Sequence, residues 1–474
     1  MRKPEYTAER RAHWDGIAER MGTEATWGEY YHRALARIYQ RVVPPGQKVL
    51  ELGCSRGDLL AALEPSLGIG IDLSEKMVKM AREAHPDLIF LQADAHELCF
   101  KERFDVIILS DLVNDLWDVQ SVFQELSAVS GPHTRIIINS YSRLWEYPLA
   151  ATERLNLAMP LLSQSWLTVD DLENLLRLAD AEVVRSWSEI VCPLDIPLLA
   201  PVLNRFAARI WPFRHLSLTN FMVARPKVAA DRSKDRPVVS VIVPARNEEG
   251  NVPHIMRRMP QMGGGTEIVF VEGHSSDNTY EAIGREMAAH PEIRCKLLQQ
   301  TGEGKGDAVR LGFERADGDI LMILDADLTV SPEDLPRFYE ALVTGKGEFI
   351  NGVRLVYPME HRAMRFLNLM GNKLFSLAFS WLLGQNLKDT LCGTKVLWRD
   401  QYERIAANRA YFGYLDPFGD FDLILGAARL NLKIVDMPIR YRERTYGTTN
   451  IRRWQHGLLL LRMLAAAATR IKFV

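Results

Sequence analysis

The chain has 474 residues, enough for two or three domains, and its 47% apolar and 25% charged residues are the balance of a protein that buries large cores. Lys and Arg number 58 against 60 Asp and Glu, a net charge of −2 that gives no ground for nucleic acid as a partner. The five cysteines are odd in number and never spaced as CxxC, which argues against a disulfide framework or a thiolate zinc site and fits a reducing, cytoplasmic setting.

The N-terminal MRKPEYTAERRAHWDG is polar, without the apolar centre of a signal peptide, and no stretch reaches the ~18 uninterrupted apolar residues of a spanning helix. Membrane contact is therefore expected to be peripheral, at the cytoplasmic face. The short apolar runs KVLEL, GIGIDL, DVIILS and RIIINS alternate with amphipathic helical stretches, and VVSVIVPA, EIVFVE and DILMILDAD repeat that pattern later in the chain. This predicts two α/β domains, each on a parallel sheet. Between them, 226–237 is charged and lacks apolar periodicity, so a first domain over 1–225, a linker and a second domain over 238–474 are expected.

In the first half, VLELGCSRGDLL sets a strand, a small-residue turn containing Glu51, Gly53, Ser55 and Gly57, and a helix start in succession. Asp72, Asp94 and Asp111 follow at the ends of the next three strands, so acidic groups converge where open α/β sheets bind ligands. This set resembles class I S-adenosylmethionine-dependent methyltransferases over about 40–225. The resemblance implies a Rossmann-like sheet, a cofactor loop at Glu51, Gly53, Ser55 and Gly57, a ribose contact at Asp72 and an adenine contact at Asp94. Ser55 stands where the family pattern has its middle glycine. Asp111, His32, His96 and His133 are alternatives for accepting a proton from the methyl acceptor, and the aromatic run Trp27 to His32 is a candidate cover for the cofactor.

In the second half, PARNEEGNV ends a strand in polar groups, Glu272 ends the next, and Lys305 sits in a Gly-Lys-Gly-Asp turn. The fourth strand ends in Asp325-Ala326-Asp327, two carboxylates whose mutual repulsion a divalent cation would relieve; oxygen-only ligation suits Mg²⁺ or Mn²⁺ on a diphosphate. With KDTLCGTKVL, FGDFDLILGA and RERTYGTTNIRRW, these motifs resemble family 2 glycosyltransferases of the GT-A fold over about 237–474, in particular the dolichyl- or polyprenyl-phosphate hexose synthases. The resemblance implies a nucleotide sugar, GDP- or UDP-hexose, held along Pro244, Arg246, Glu248, Glu272 and Lys305, with metal at Asp325 and Asp327. Glu272-Gly273-His274-Ser275 replaces the usual Asp-Asp-Gly-Ser, which leaves the nucleobase open.

A hydroxyl acceptor needs a base, for which Asp420 and Asp422 are available, whereas a phosphate acceptor needs cations, for which Arg354, Arg365 and Arg444 are available. Asp389, in the KDTLCGTKVL motif, is a further substrate-site candidate. In His361 to Gly384, polar residues recur at steps of three and four as one narrow stripe, including Asn372, Ser376 and Ser380. Such a helix can lie in a membrane interface and present a lipid phosphate to the metal site, or be buried in the core or in a dimer interface. The whole chain then reads as a bifunctional enzyme: hexosyl transfer to a polyprenyl phosphate, fused to methyl transfer onto an unidentified acceptor. The rival reading is a hydroxyl-directed glycosyltransferase with a non-catalytic cofactor-binding first half.

Overall fold

The computed structural model describes the chain except for residues 1, 22–28, 155–161, 228–231, 233–234, 358–365, 410–418, 445, 447–452 and 474. It divides into two compact units, Met1–Ala229 with Lys472–Val474, and Ala230–Ile471. In the expected linker, Arg232 is packed: its guanidinium lies 3.9 Å from the Trp398 ring centroid, and its backbone N–H donates to Val343.

The first unit holds seven strands: β1 Lys48–Leu52, β2 Leu67–Asp72, β3 Ile89–Gln92, β4 Phe104–Ser110, β5 Ser130–Tyr141, β6 Ala181–Glu189 and β7 Thr219–Pro226. Their order across the sheet is β3-β2-β1-β4-β5-β7-β6, parallel except for β7, which runs antiparallel to both its neighbours. The reversal at β1 and β4 opens a crevice at their C-terminal ends, where Gly53 and Asp111 stand. β1 and β4 read as near-continuous apolar runs because helices cover both faces; Leu50, Leu52, Ile107, Ile108 and Leu109 are fully buried, each side chain stabilising by about 1.5–3 kcal/mol.

The second unit has β8 Val239–Ala245, β9 Thr266–Glu272, β10 Cys295–Gln299, β11 Ile320–Ile323, β12 Phe349–Val353, β13 Lys395–Trp398 and β14 Ile434–Pro438, in the order β10-β9-β8-β11-β13-β12-β14. β10, β9, β8 and β11 are parallel, and β13 is antiparallel to β11 and β12. Both sheets are therefore mixed rather than wholly parallel. An antiparallel return strand cannot be told from a parallel one by an apolar run, since both are buried on two faces.

Two helices of the second unit aim their N-termini at the same place. Helix Lys305–Arg315 and helix Asp420–Arg429 meet where Gly419, at φ +76°, lies against Gly306; a Cβ on Gly419 would be 2.7 Å from the Gly306 Cα. That approach brings Lys305 and Asp420 to the end of β11.

The helix expected over 361–384 is described from Phe366 to Leu383, with His361 and Arg365 outside the described residues. Its polar stripe faces inward. Asn372 and Ser376 are buried, the Ser376 hydroxyl donates to the Lys388 carbonyl at 2.8 Å, and the Ser380 hydroxyl donates to that of Leu387 at 3.0 Å. Met370, Leu374, Leu377 and Trp381 are exposed instead, Leu377 by 71%. Hydroxyls that satisfy buried carbonyls leave the apolar side to solvent, so the stripe is an anchor and not a phosphate-presenting surface.

Candidate functional site

In the first unit the loop after β1 turns through positive φ at Gly53, Ser55 and Gly57 (72°, 47° and 75°). Ser55 holds this left-handed backbone despite its Cβ, and its N–H donates to Asp72 Oδ2 at 3.0 Å. Asp72 Oδ1 accepts from the Ser74 N–H at 2.9 Å, so the carboxylate at the end of β2 ties the loop to the next helix. Burial raises the Asp72 carboxyl despite these two donors, and burial drives Glu51 well above its ordinary range. Glu51 Oε2 is buried with no hydrogen-bond partner among the described residues. Asp94 is engaged by His96, whose Nδ1 lies 2.6 Å away; this overrides partial burial and holds the Asp94 carboxyl low.

Asp111, in a left-handed conformation just beyond β4, gathers a network that the sequence did not announce. The Tyr31 hydroxyl donates to both its oxygens at 3.0 and 2.9 Å, and the Asn139 amide donates to Oδ1 at 2.6 Å. Behind these, Thr219 Oγ1 is 3.2 Å from the Tyr31 oxygen, and the Tyr39 hydroxyl donates to Asn139 Oδ1 at 2.6 Å. Burial pushes the Asp111 carboxyl up to about 7, the Tyr31 and Asn139 donors opposing it. Of the aromatic run Trp27 to His32, Trp27 and Gly28 lie outside the described residues, and Tyr31 is the member that reaches Asp111. The structure separates two of the alternative proton acceptors from this point. His133 lies at the start of β5, the opposite end from Asn139, and His96 is held by Asp94.

Among the described residues no Lys or Arg pairs with Glu51, Asp72 or Asp111. An acidic, uncompensated crevice with a ribose-suited carboxylate fits a cationic nucleoside cofactor such as S-adenosylmethionine.

The second unit's site is built in the opposite sense. Asp325 Oδ1 is 2.7 Å from Lys305 Nζ, and Asp327 Oδ2 is 2.7 Å from Arg444 Nη2. The two carboxylates that sequence reasoning balanced with a metal are here balanced by these cations. Burial opposes ionisation of Asp325, yet Lys305 overrides it and holds the carboxyl below its usual value. Glu248 joins through Arg444 Nη1 at 3.6 Å, and burial lifts its carboxyl to about 7 against that guanidinium. Arg354 clasps the buried Asp389 with Nε to Oδ2 at 2.7 Å and Nη2 to Oδ1 at 2.9 Å, a bidentate pair.

Asp420 and Asp422, two residues apart at a helix start, point different ways. Asp420 Oδ1 lies 3.6 Å from Lys305 Nζ, too far to hydrogen bond, and is buried without a hydrogen-bond partner among the described residues. Asp422 pairs with Arg409 at 2.7 Å. Glu272 is buried and accepts from the Ser275 N–H at 2.5 Å, closing its own loop. Pro244 is half-buried and Arg246 is exposed at the end of β8.

Two positions at this site went unmarked in the sequence, although both lie in KDTLCGTKVL. A Cβ on Gly393 would sit 2.1 Å from Asp325 Oδ2 and 2.4 Å from Lys305 Nζ. Lys395 is fully buried, its ammonium donates to the Cys392 carbonyl, and its charge acts on Asp325, Asp389 and Asp420. Asp325 and Asp327 carry hard oxygen donors of the kind Mg²⁺ or Mn²⁺ takes, but each is engaged by a cation, and among the described residues no three His, Cys, Asp or Glu side chains gather as a metal site.

Residues 49–133 match the family model described as Methyltransferase domain, and residues 240–405 match Glycosyl transferase family 2. The chain thus carries a methyltransferase domain followed by a family 2 glycosyltransferase domain. It is 37% identical over 216 residues to an undecaprenyl-phosphate 4-deoxy-4-formamido-L-arabinose transferase of Pectobacterium carotovorum, covering 44% of this chain and 62% of that one. To a dolichol-phosphate mannosyltransferase of Pyrococcus furiosus it is 29% identical over 219 residues, covering 45% and 59%. The matches span from about a third to two thirds of the length of such curated relatives. Among solved structures, a putative methyltransferase in complex with the Haloferax volcanii activator Trm112 matches at 21% identity and TM-score 0.36, over 45% of this chain and 97% of that one. Glucosyl-3-phosphoglycerate synthase of Mycobacterium tuberculosis, in complex with Mn²⁺, UDP and glucosyl-3-phosphoglycerate, matches at 18% identity and TM-score 0.38, over 52% and 84%.

Proposed function

We propose that the second unit transfers a hexose from a nucleotide sugar, GDP- or UDP-linked, to a polyprenyl phosphate at the cytoplasmic membrane face, and that the first unit transfers a methyl group from S-adenosylmethionine. One observation carries the lipid acceptor. The helix Phe366–Leu383 turns Met370, Leu374, Leu377 and Trp381 outward while Ser376 on its inner side bonds Lys388, the neighbour of Asp389, which clasps Arg354. An apolar surface is thereby tied, two residues removed, to a site cation. The relatives named above carry undecaprenyl-phosphate and dolichol-phosphate in their names, which supports the same acceptor class. Among the described residues no helix is long and apolar enough to cross a membrane.

In this reading Arg444, Lys305 and Arg354 orient phosphates, and Glu248 positions Arg444. Pro244, Arg246 and Glu272 line the nucleotide. Asp325 and Asp327 would hold Mg²⁺ or Mn²⁺, which when bound offsets charge on the departing nucleotide. Radiolabel transfer from a panel of nucleotide sugars to polyprenyl phosphate, with metal or with chelator and beside Asp327→Asn, tests this. Metal-dependent label in the organic phase is expected. Label appearing only on a soluble hydroxyl acceptor, and lost in Asp420→Asn, would instead favour hydroxyl transfer, for which the orphaned Asp420 oxygen is the base.

For methyl transfer, Glu51, Gly53, Ser55 and Gly57 form the cofactor loop, with Asp72 on the ribose and Asp94 near the adenine. Asp111, raised to about 7 and oriented by Tyr31 and Asn139, takes the acceptor's proton.

A further inference from the structure

The first unit carries an exposed apolar surface, in the segment between β6 and β7, that neither methyl transfer nor the glycosyl site uses; at its edge Phe206 meets Phe473, ring centroids 5.7 Å apart. Over 194–216 the usual polarity is inverted. Leu198, Val202, Ile210, Trp211 and Phe213 are exposed, Leu198 by 85% and Trp211 by 71%, while the small residues Ala200, Ala208 and Ser217 face inward.

The segment is held in this orientation by its own polar groups. Asn204 Oδ1 accepts from the Val191 and Cys192 N–H groups at 2.9 and 2.8 Å, and its amide donates to the Cys192 carbonyl at 2.8 Å and the Tyr30 hydroxyl at 3.2 Å. Arg209 is buried in an ion pair with Glu189, and the Trp145 indole donates to the Leu216 carbonyl at 2.9 Å. Rotating the segment to hide its apolar side would strip all these groups of partners at once, so the outward face is built rather than frayed. Large apolar side chains exposed together on one anchored segment point to an interaction surface.

The charges around it select the partner. Within 190–218 the acids are limited to Asp195, which pairs with Arg33 at 3.2 Å, whereas Arg205, Arg214 and His215 are exposed among the apolar side chains. Trp and Phe interleaved with Arg, on a segment with no exposed unpaired acid, match a water–lipid interface bearing negative head groups. We propose that 194–216 docks the methyltransferase unit onto an anionic bilayer surface, so that its methyl acceptor is a molecule presented at the membrane. This surface is separate from the helix Phe366–Leu383 and does not rest on the choice of glycosyl acceptor.

Hydrogen exchange of the full chain, alone and with vesicles of phosphatidylglycerol and phosphatidylethanolamine, tests it. Peptides spanning 194–216 are expected to exchange about tenfold more slowly on the vesicles and to regain their rate in 0.5 M salt, where the Debye length shrinks to about 4 Å. Trp211→Ser/Phe213→Ser should weaken vesicle binding by about tenfold and abolish that protection while leaving the melting temperature unchanged, since both side chains are solvent-facing. Leu377→Ser/Trp381→Ser should leave protection at 194–216 in place. Vesicle-bound protein with unchanged exchange there overturns the proposal and leaves the glycosyl reading standing. Protection already present without lipid, or growing with protein concentration, also overturns it and assigns the face to contact within or between copies of the chain. Loss of lipid glycosylation with protection retained is the reverse case, in which the docking surface stands and the glycosyl reading falls.

Discussion

The two ligand crevices sit at corresponding places on related sheets, yet their electrostatics are opposite. In the first unit Glu51, Asp72 and Asp111 are satisfied by N–H and O–H donors or left orphaned, and burial raises all three. In the second, Asp325, Asp327 and Asp389 each contact a Lys or Arg, and Asp325 and Asp389 are held low by those partners against their burial. A carboxylate crevice without cations attracts a cationic ligand; one already laced with cations can receive a diphosphate by exchanging partners. Under the proposed function, the same residue type at the same topological position serves a sulfonium in one unit and phosphates in the other.

That contrast can be broken most sharply in the second unit. Asp327→Asn breaks the ion pair with Arg444 and removes a proposed metal ligand, and should lower glycosyl transfer about 100-fold or more while methyl transfer is unchanged, read by parallel radiolabel assays. Asp111→Asn should lower methyl transfer by about 10²-fold to 10⁴-fold and remove the rise of rate with pH centred near 7. The sign for stability is the reverse of that for activity. Because the folded carboxyl is raised from 3.8, its stabilising contribution is fully present below that value and is lost as pH climbs through about 7. Urea unfolding at pH 5 and pH 8.5 should therefore show a pH dependence that the Asn variant reduces.

Gly393→Ala should cost glycosyl transfer about 100-fold, because the new methyl would displace Asp325 or Lys305, with the methyl transfer rate as the control. Leu377→Ser/Trp381→Ser should raise KM for a long-chain lipid phosphate by about tenfold and leave that for a short-chain soluble analogue unmoved. The smallest effect is expected from Ser55→Gly. It relieves a left-handed strain of about 1 kcal/mol, partly offset by glycine's greater freedom when unfolded, so the melting temperature should shift slightly upward.

Much of both sites was legible because strand ends are legible. An apolar run that stops at an acidic residue marks both a strand and its C-terminus, and that reasoning reached Asp72, Asp111, Glu272 and Asp325 directly. Their partners were not, because Tyr31 is 80 residues from Asp111 and Arg444 is 117 from Asp327, separations at which no periodicity operates. Asp420 and Asp422, alternative candidate bases that are close in sequence, are parted by the fold. Two positions apart on a helix is about 200° of rotation, which sends one to Lys305 and the other to Arg409.

By itself, then, the amino-acid order determined two α/β units, the strand-end carboxylates and the glycine turns, since these depend on local pattern and on backbone conformations that few residues tolerate. The facing of the helix Phe366–Leu383 was beyond it: a stripe of Ser and Asn reads as solvent-facing until buried carbonyls at Leu387 and Lys388 are seen to need donors. Only tertiary structure decided that facing, the inverted polarity of 194–216 and the charge of each crevice, because each depends on groups distant in sequence that folding alone brings within hydrogen-bonding or Coulombic range.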